Sequence, residues 1–414
     1  MELTYSKRQL KGEVRMKKRV VIVGSSFAGY STALSLAKLF HGRHDITVID
    51  KSPEFTFLPS LVWHPFGYRN SDDISFDTRP IYKDHDIEFI EETVYGFDLD
   101  DQVIYTSAED IAYDYLVLAT GTKANYGSIK GFAPENHVFT ICSFAEAERT
   151  RLAWKNFLKD PGPIVIGAGQ WSGYFFAAYE FLLNVLYHLK AHDLLDKVPI
   201  HFITAEPYLT HFGIGGIHDD VEACEHLFDR YGIKWQTNAE IHELKRGKVI
   251  LESGEEIDSK FTMIIPQFVG IDAVRTTHNL ANFAGLIKVN NEFQHTKYPN
   301  IYGAGGSVYI AQEDDTKVPC GVPRTRYCTD IMAKTVAYNI ASDILGGSRV
   351  SVTNHRLYEY CKQDMDHLSA LFFRNADDNE HDLDFIAKKS SDKWANMSIG
   401  EYIEDSFDTE DLKI

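Results

Sequence analysis

The stretch Gly24-Ser25-Ser26-Phe27-Ala28-Gly29 follows a four-residue apolar run, Val20 to Val23, and Asp50 comes about twenty residues later. Backbone N–H groups opening a helix, with the positive end of its dipole, suit a pyrophosphate. A carboxylate after the next strand can accept from a ribose hydroxyl. Ser26 occupies the middle-glycine position of the usual G-x-G-x-x-G pattern. It is small, and its hydroxyl can donate to a phosphate oxygen. Gly167 and Gly169, with Glu206 at the end of the following strand, repeat the arrangement. The second chemistry-bearing set is sulfur: Cys142, Cys224, Cys320, Cys328 and Cys361. Thiolates are nucleophiles and redox centres. Five widely spread cysteines fit reactive thiols in a reducing compartment better than a disulfide framework. Cys224 and Cys328 read as small buried hydrophobes. The 17 histidines show no metal-ligand spacing, so no metal is expected. His211 and His218 flank a glycine-rich loop and could move protons, though surface or loop positions are the plainer reading.

The elements that must position these groups follow from periodicity. Val20–Val23 and Ile46–Ile49 lack polar alternation, as buried parallel strands do, and a helical pattern lies between them. The run Lys51–Arg69, rich in aromatics and prolines, reads as a loop and short helix. Short strands are expected at residues 87–90, 93–99 and 102–105. A further strand ends on Ala119-Thr120-Gly121, where glycine permits close backbone approach. A helix over 143–158 precedes the second glycine unit, which starts after Asp160-Pro-Gly-Pro. The chain returns near Phe268 to the first unit through Asn300–Ser307, and a helix-rich piece spans 323–345. The expected fold class is α/β, with two Rossmann-like dinucleotide-binding domains. The divisions are an N-terminal extension 1–17, a first domain 18–160 and 266–350, a second domain 161–265, and a C-terminal segment 351–414.

The formal net charge of −18 argues against nucleic acid and against anionic membranes held by charge. No apolar run is long enough to span a bilayer, and no signal peptide is visible. Cytoplasm is the expected location. The acidic tail offers only a narrow apolar stripe, Trp394, Met397, Ile399 and Tyr402, without a basic face. Membrane association is therefore weak or absent, at most peripheral at the cytoplasmic membrane. The tail packs on its own domain or on a second copy, which leaves a homodimer open.

Several ordered motifs, YDYLVLATGTK, TICSFAEAE, DPGPIVIGAG, AYEF, ITAEPYLTHFGIGG, VPCGVPRTRY and YEYCKQDM, resemble the sulfide:quinone oxidoreductase family. That family belongs with the two-dinucleotide-domain flavoprotein disulfide reductases, near type II NADH dehydrogenases and flavocytochrome c sulfide dehydrogenase. The likeness runs from Lys18 to about Phe373. It implies FAD, held by Gly24, Ser25, Ser26, Phe27, Ala28 and Gly29 at the pyrophosphate and by Asp50 and Lys51 at the adenosine end. Ala119, Thr120, Gly121, Gly305, Gly306 and Pro323 would lie along the rest of the cofactor. Many relatives have aspartate where Gly306 stands and glycine where Arg326 stands.

The resemblance further implies a small sulfur donor, a quinone-like acceptor and a cysteine pair beside the flavin that takes sulfide as a persulfide and passes on two electrons. Cys361 and Cys142 match family cysteines. A third, half of the redox pair, falls on Tyr174, and Cys142 or Cys320 is the candidate replacement partner for Cys361. Two other readings stand beside this one. Gly167, Gly169 and Glu206 would suit an NADH-dependent flavin dehydrogenase, although Tyr174 and Phe175 after that turn would obstruct a nicotinamide. The missing cysteine and Arg326 would suit a flavin-binding redox sensor without turnover.

Overall fold

The computed structural model describes residues 17–216 and 220–369. The N-terminal extension before Lys17, His218 and the tail stripe Trp394–Tyr402 lie outside them. Two parallel five-stranded sheets dominate the described residues. In the first, β1 (Arg19–Val23) leads through α1 (Phe27–Phe40) to β2 (Asp45–Asp50). Across the sheet the order is Ile301–Gly303, Tyr115–Leu118, β1, β2, Ile87–Glu91. Val20, Val21 and Ile22 are wholly buried, which explains their uninterrupted apolar run.

Register does the positioning. Val23 of β1 lies opposite Ile49 of β2 on one side and Leu118 on the other, and Gly303 lies opposite Leu118. The chain therefore leaves all four strands at one edge, which brings Gly24, Asp50, Ala119–Gly121 and Gly305–Gly306 together. Strand order reverses at β1, and ligands of open α/β sheets bind at such a point.

The second sheet holds β3 (Ile164–Ala168) and β4 (Ile200–Thr204), joined through α2 (Phe175–Ala191). Its order is Val138–Phe139, Phe261–Ile265, β3, β4, Lys234–Gln236. Val138–Phe139 precedes the boundary expected at residue 160, yet hydrogen-bonds in this sheet beside Thr262 and Met263. Antiparallel strands Thr122–Ala124 and Phe268–Gly270 pair where the chain passes between the two sheets. One apolar core runs through both halves.

Two helices complete the described chain: α3 (Arg326–Leu345), which packs on α1, and α4 (Asn354–Ser369), which packs on α3. The sequence reading gave α4 no secondary structure. Leu357, Tyr358, Cys361 and Met365 recur at helical spacing and are all buried. The run 51–69 forms a short strand at Glu54–Thr56 and 3₁₀ turns at Leu58–Val62 and His64–Phe66, because its prolines interrupt any longer helix.

Candidate active site

A cavity of about 470 Å³ opens along the edge where the first sheet ends and extends to α2, α3 and α4. Its first wall is the β1–α1 turn. Gly24 has φ +108°, and a Cβ there would stand 2.3 Å from the Ala119 carbonyl oxygen. A Cβ on Gly29 would stand 1.8 Å from the Gly24 oxygen, so only two glycines let the turn close this tightly. Ser26 is the N-cap of α1, but its side chain caps nothing, and no acid occupies the first turn. The helix N-terminus is thus left for an outside anion.

Asp50 stands beside this turn. Its Oδ2 accepts from the Ser25 N–H at 2.7 Å and its Oδ1 from the Ser52 N–H at 3.2 Å. Burial pushes its carboxyl above the usual range, against those N–H groups and the Lys51 charge, which pull it down. A hydroxyl donor there would further stabilise the carboxylate. These features fit the dinucleotide that the sequence motif implies.

Of the sequence-predicted residues, Gly24, Ser26, Phe27, Ala28 and Asp50 line the cavity. Ala119, Thr120, Gly121, Gly306, Pro323 and Cys142 do so too. Ser25 instead turns its hydroxyl to Tyr82 at 2.8 Å. Gly29 lies under its own turn, and Gly305 packs against Ala28 and Thr329. Lys51 is exposed, outside the lining.

The three candidate thiols take different positions. Cys142 faces the cavity with its sulfur 2.9 Å from the Thr140 hydroxyl, and crowding pushes this thiol up to about 12. Cys320 is buried off the cavity, its sulfur 3.7 Å from the Val318 carbonyl oxygen, and its thiol is pushed up to about 12 by burial and then by the Glu206 charge. Cys361 is buried on α4. Its sulfur lies 3.8 Å from the Pro323 carbonyl oxygen and neighbours the thiol of Cys328, which the sequence reading had taken for plain packing. That contact lowers the Cys361 thiol, with help from the Arg324 guanidinium and from Thr325, against desolvation. The missing signal was long-range: Cys328 and Cys361 meet only once α4 folds back on α3.

Tyr174 lines the cavity where the third family cysteine was expected. Its ring packs edge-on against Phe268 at 4.7 Å, and burial pushes its hydroxyl up. Two further lining residues were not singled out from sequence. Glu180, inside the AYEF motif, has its carboxyl pushed up to about 8 by burial, with no charge or hydrogen bond among the described residues to offset it. Arg324 donates to the Val322 and Val308 carbonyls at 2.7 and 2.9 Å, and its buried Nε has no partner. Arg326 and Asp364 also line the cavity, and Leu58, Pro59, Leu61, Trp63, Phe176 and Phe212 give it an apolar stretch of wall.

The second glycine turn is closed. A Cβ on Gly167 would stand 1.8 Å from the Ile203 oxygen, and segment 319–322 covers the turn through Trp171 N–H to Pro319 and Gly321 N–H to Ser172, each 2.6 Å. Glu206 is wholly buried and accepts from Tyr179 at 2.8 Å, Thr204 at 2.6 Å and the Phe212 N–H at 2.7 Å. This corrects the sequence-based option of a ribose acid: the carboxylate is spent on its own loop. His211 is buried, its Nδ1 accepting from the Gly213 N–H at 3.1 Å, and desolvation lowers it. It is therefore neither exposed nor on the cavity. Among the described residues no cluster of histidine, cysteine or acid could hold a metal, and no helix is long and apolar enough to cross a membrane.

Comparison with known proteins agrees with this layout. The family described as pyridine nucleotide-disulphide oxidoreductase matches residues 18–317. The chain is 38% identical over 336 residues to the sulfide-quinone reductase of Aquifex aeolicus (strain VF5), covering 80% of this chain and 77% of that protein. The X-ray structure of the sulfide:quinone oxidoreductase from Aquifex aeolicus aligns at TM-score 0.76 and 36% identity, covering 79% of this chain and 77% of that one. The Plasmodium falciparum NDH2 structure in complex with NADH aligns at TM-score 0.57 and 16% identity, covering 85% and 78%, a likeness of fold alone.

Proposed function

The chain belongs to the pyridine nucleotide-disulphide oxidoreductase family, on its sulfide:quinone oxidoreductase branch, and from this we propose that its cavity holds FAD and couples oxidation of sulfide to reduction of a quinone. The protein is an FAD-dependent oxidoreductase of the sulfide:quinone reductase type. The observation that carries the assignment onto this structure is the single cavity. It joins the first glycine turn and Asp50 at one end to Cys142, Glu180 and the 323–326 loop at the other.

The β1–α1 turn and the α1 N-terminus would hold the pyrophosphate, Asp50 the adenosine ribose, and Thr120, Gly121 and Gly306 the remaining length. When bound, FAD supplies a two-electron acceptor for sulfur and a two-electron donor for the quinone. Forming a sulfur–sulfur bond at a thiol removes two electrons and a proton from hydrosulfide, so a nucleophilic sulfur and a proton carrier are both needed. Cys361, with its thiol lowered, is the sulfur best prepared for the first task. Glu180, near neutrality at about 8, is prepared for the second. Arg324 presents a fixed positive charge to anions at the same end. The apolar wall from Leu58 to Trp63, with Phe176 and Phe212, suits a flat hydrophobic quinone head.

The buried Glu206 and the covered second turn weigh against NADH as donor. Anaerobic mixing of the purified protein with sulfide, followed by a soluble quinone, tests the reading. Flavin absorbance should bleach and then return. Bleaching by NADH alone would overturn it.

A further inference from the structure

Cys328 and Cys361 are two thiols from different helices that meet. Cys328 is the third residue of α3 and wholly buried, Cys361 sits on α4 at 1% exposure with its sulfur 3.8 Å from the Pro323 carbonyl oxygen, and the two thiols are neighbours that shift each other's titration. Thr325 fastens both. Its hydroxyl accepts from the Cys328 N–H at 3.3 Å, and its N–H and hydroxyl help to lower the Cys361 thiol. The pair therefore lies at the N-terminal end of a 20-residue helix, where the dipole favours a thiolate, with the Arg324 guanidinium close by. Their chain neighbours Thr325, Thr329, Asp364 and Met365 line the cavity. Tyr174, by contrast, brings no sulfur, and Cys142 is held against Thr140.

We infer that Cys328 and Cys361 form a redox-active dithiol, with Cys328 supplying the partner sulfur that Tyr174 cannot. This rests on the proposed sulfide:quinone reaction, and within it Cys328 carries the persulfide while Cys361 is the thiolate that leaves. To close, the two thiols give up two electrons and two protons to the flavin–quinone couple of the proposed reaction, which ends on the quinol, and one S–S bond forms. To reopen, hydrosulfide attacks the Cys328 sulfur. A new S–S bond forms there, the Cys328–Cys361 bond breaks, and Cys361 departs with the electron pair as thiolate. Cys361 is the better leaving group because the Thr325 N–H and Arg324 stabilise its anion. A second hydrosulfide attacks the outer sulfur of the Cys328 persulfide, releases it as hydrogen disulfide and returns Cys328 as thiolate.

The test is thiol mapping of the flavin-loaded protein. It is treated anaerobically with a soluble ubiquinone analogue, alkylated in denaturant, cleaved without reductant and mapped by mass. The expected product is a peptide linking Cys328 to Cys361 that disappears after sulfide. Cys328→Ser, with unchanged flavin absorbance, should lose the link and the sulfide-dependent bleaching; Cys328→Ala serves if the serine variant fails to retain flavin. Both thiols alkylated after quinone, a link from Cys361 to Cys142, or bleaching of the Cys328 variant at the wild-type rate would each overturn the inference. A link that forms with quinone while sulfide neither opens it nor bleaches flavin would uphold the dithiol and sink the sulfide reading.

Discussion

Replacing Glu206 with alanine separates a structural acid from a nicotinamide ligand. The substitution removes the acceptor of three buried donors: the Tyr179 hydroxyl, the Thr204 hydroxyl and the Phe212 N–H. The Thr204 hydroxyl can turn elsewhere. The Tyr179 hydroxyl is fixed as acceptor from the Thr210 N–H at 2.9 Å, and the Phe212 N–H cannot move without its loop. Each buried group left unpaired costs ~1–3 kcal/mol, so the two that cannot turn away give a loss of about 2–6 kcal/mol. Glu206→Gln should recover most of this, because its amide oxygen can serve Phe212 while its NH₂ donates to the hydroxyls. Urea denaturation of wild type and both variants, followed by flavin fluorescence, measures the losses. Reduction of the flavin by NADH should stay slow in all three. An unchanged urea midpoint in Glu206→Ala, together with loss of a fast NADH reaction present in wild type, would refute the reasoning.

Other outcomes follow from the same geometry. Gly24→Ala places a Cβ 2.3 Å from a backbone oxygen at φ +108°, so it should abolish flavin retention, read as the absorbance ratio of purified protein. Asp50→Ala removes the acceptor of the Ser25 and Ser52 N–H groups and the proposed ribose contact, worth ~1.5–3 kcal/mol for a charged acceptor; weaker FAD retention in a dilution assay checks it. Glu180 has a folded pKa of about 8, above the 4.5 of the free side chain. Between those values the folded protein keeps a proton that the unfolded chain has released. Stability from this group therefore falls as pH rises through that window, by at most ~1.4 kcal/mol per pH unit. Glu206, at about 7, titrates in the lower part of the same window, so the effect of Glu180→Gln should be clearest between about pH 7 and 8. There, urea midpoints of the variant should change less with pH than those of wild type.

Much of the fold was legible because its signals are local. Val20–Val23 and Ile46–Ile49 advertise buried parallel strands, and Gly24 and Gly29 mark a turn no other residues could close. Asp50, twenty-odd residues on, could be placed beside Ser25 before any coordinates, since a β–α–β crossover admits little else. Which thiols lie near one another was not legible. Sequence alone offered Cys142 and Cys320 as partners for Cys361, yet the thiol that meets it is Cys328, 33 residues away across the α3–α4 turn. The fate of Glu206 was hidden for the same reason: position after a strand suggests a ribose acid, but the loop carrying Phe212 folds back and takes the carboxylate. Glu180 escaped notice because a lone acid in an apolar helix declares its chemistry only when the cavity beside it is known.

The central claim is that electrons enter from sulfide and leave to a quinone. It is tested most directly by stopped-flow mixing of the oxidised holoprotein with sulfide under anaerobic conditions, with NADH in a parallel run and a soluble quinone added afterwards. Sulfide should bleach the flavin on the time scale of turnover, quinone should restore its absorbance, and NADH should leave it essentially oxidised. Rapid bleaching by NADH with no response to sulfide would contradict the account.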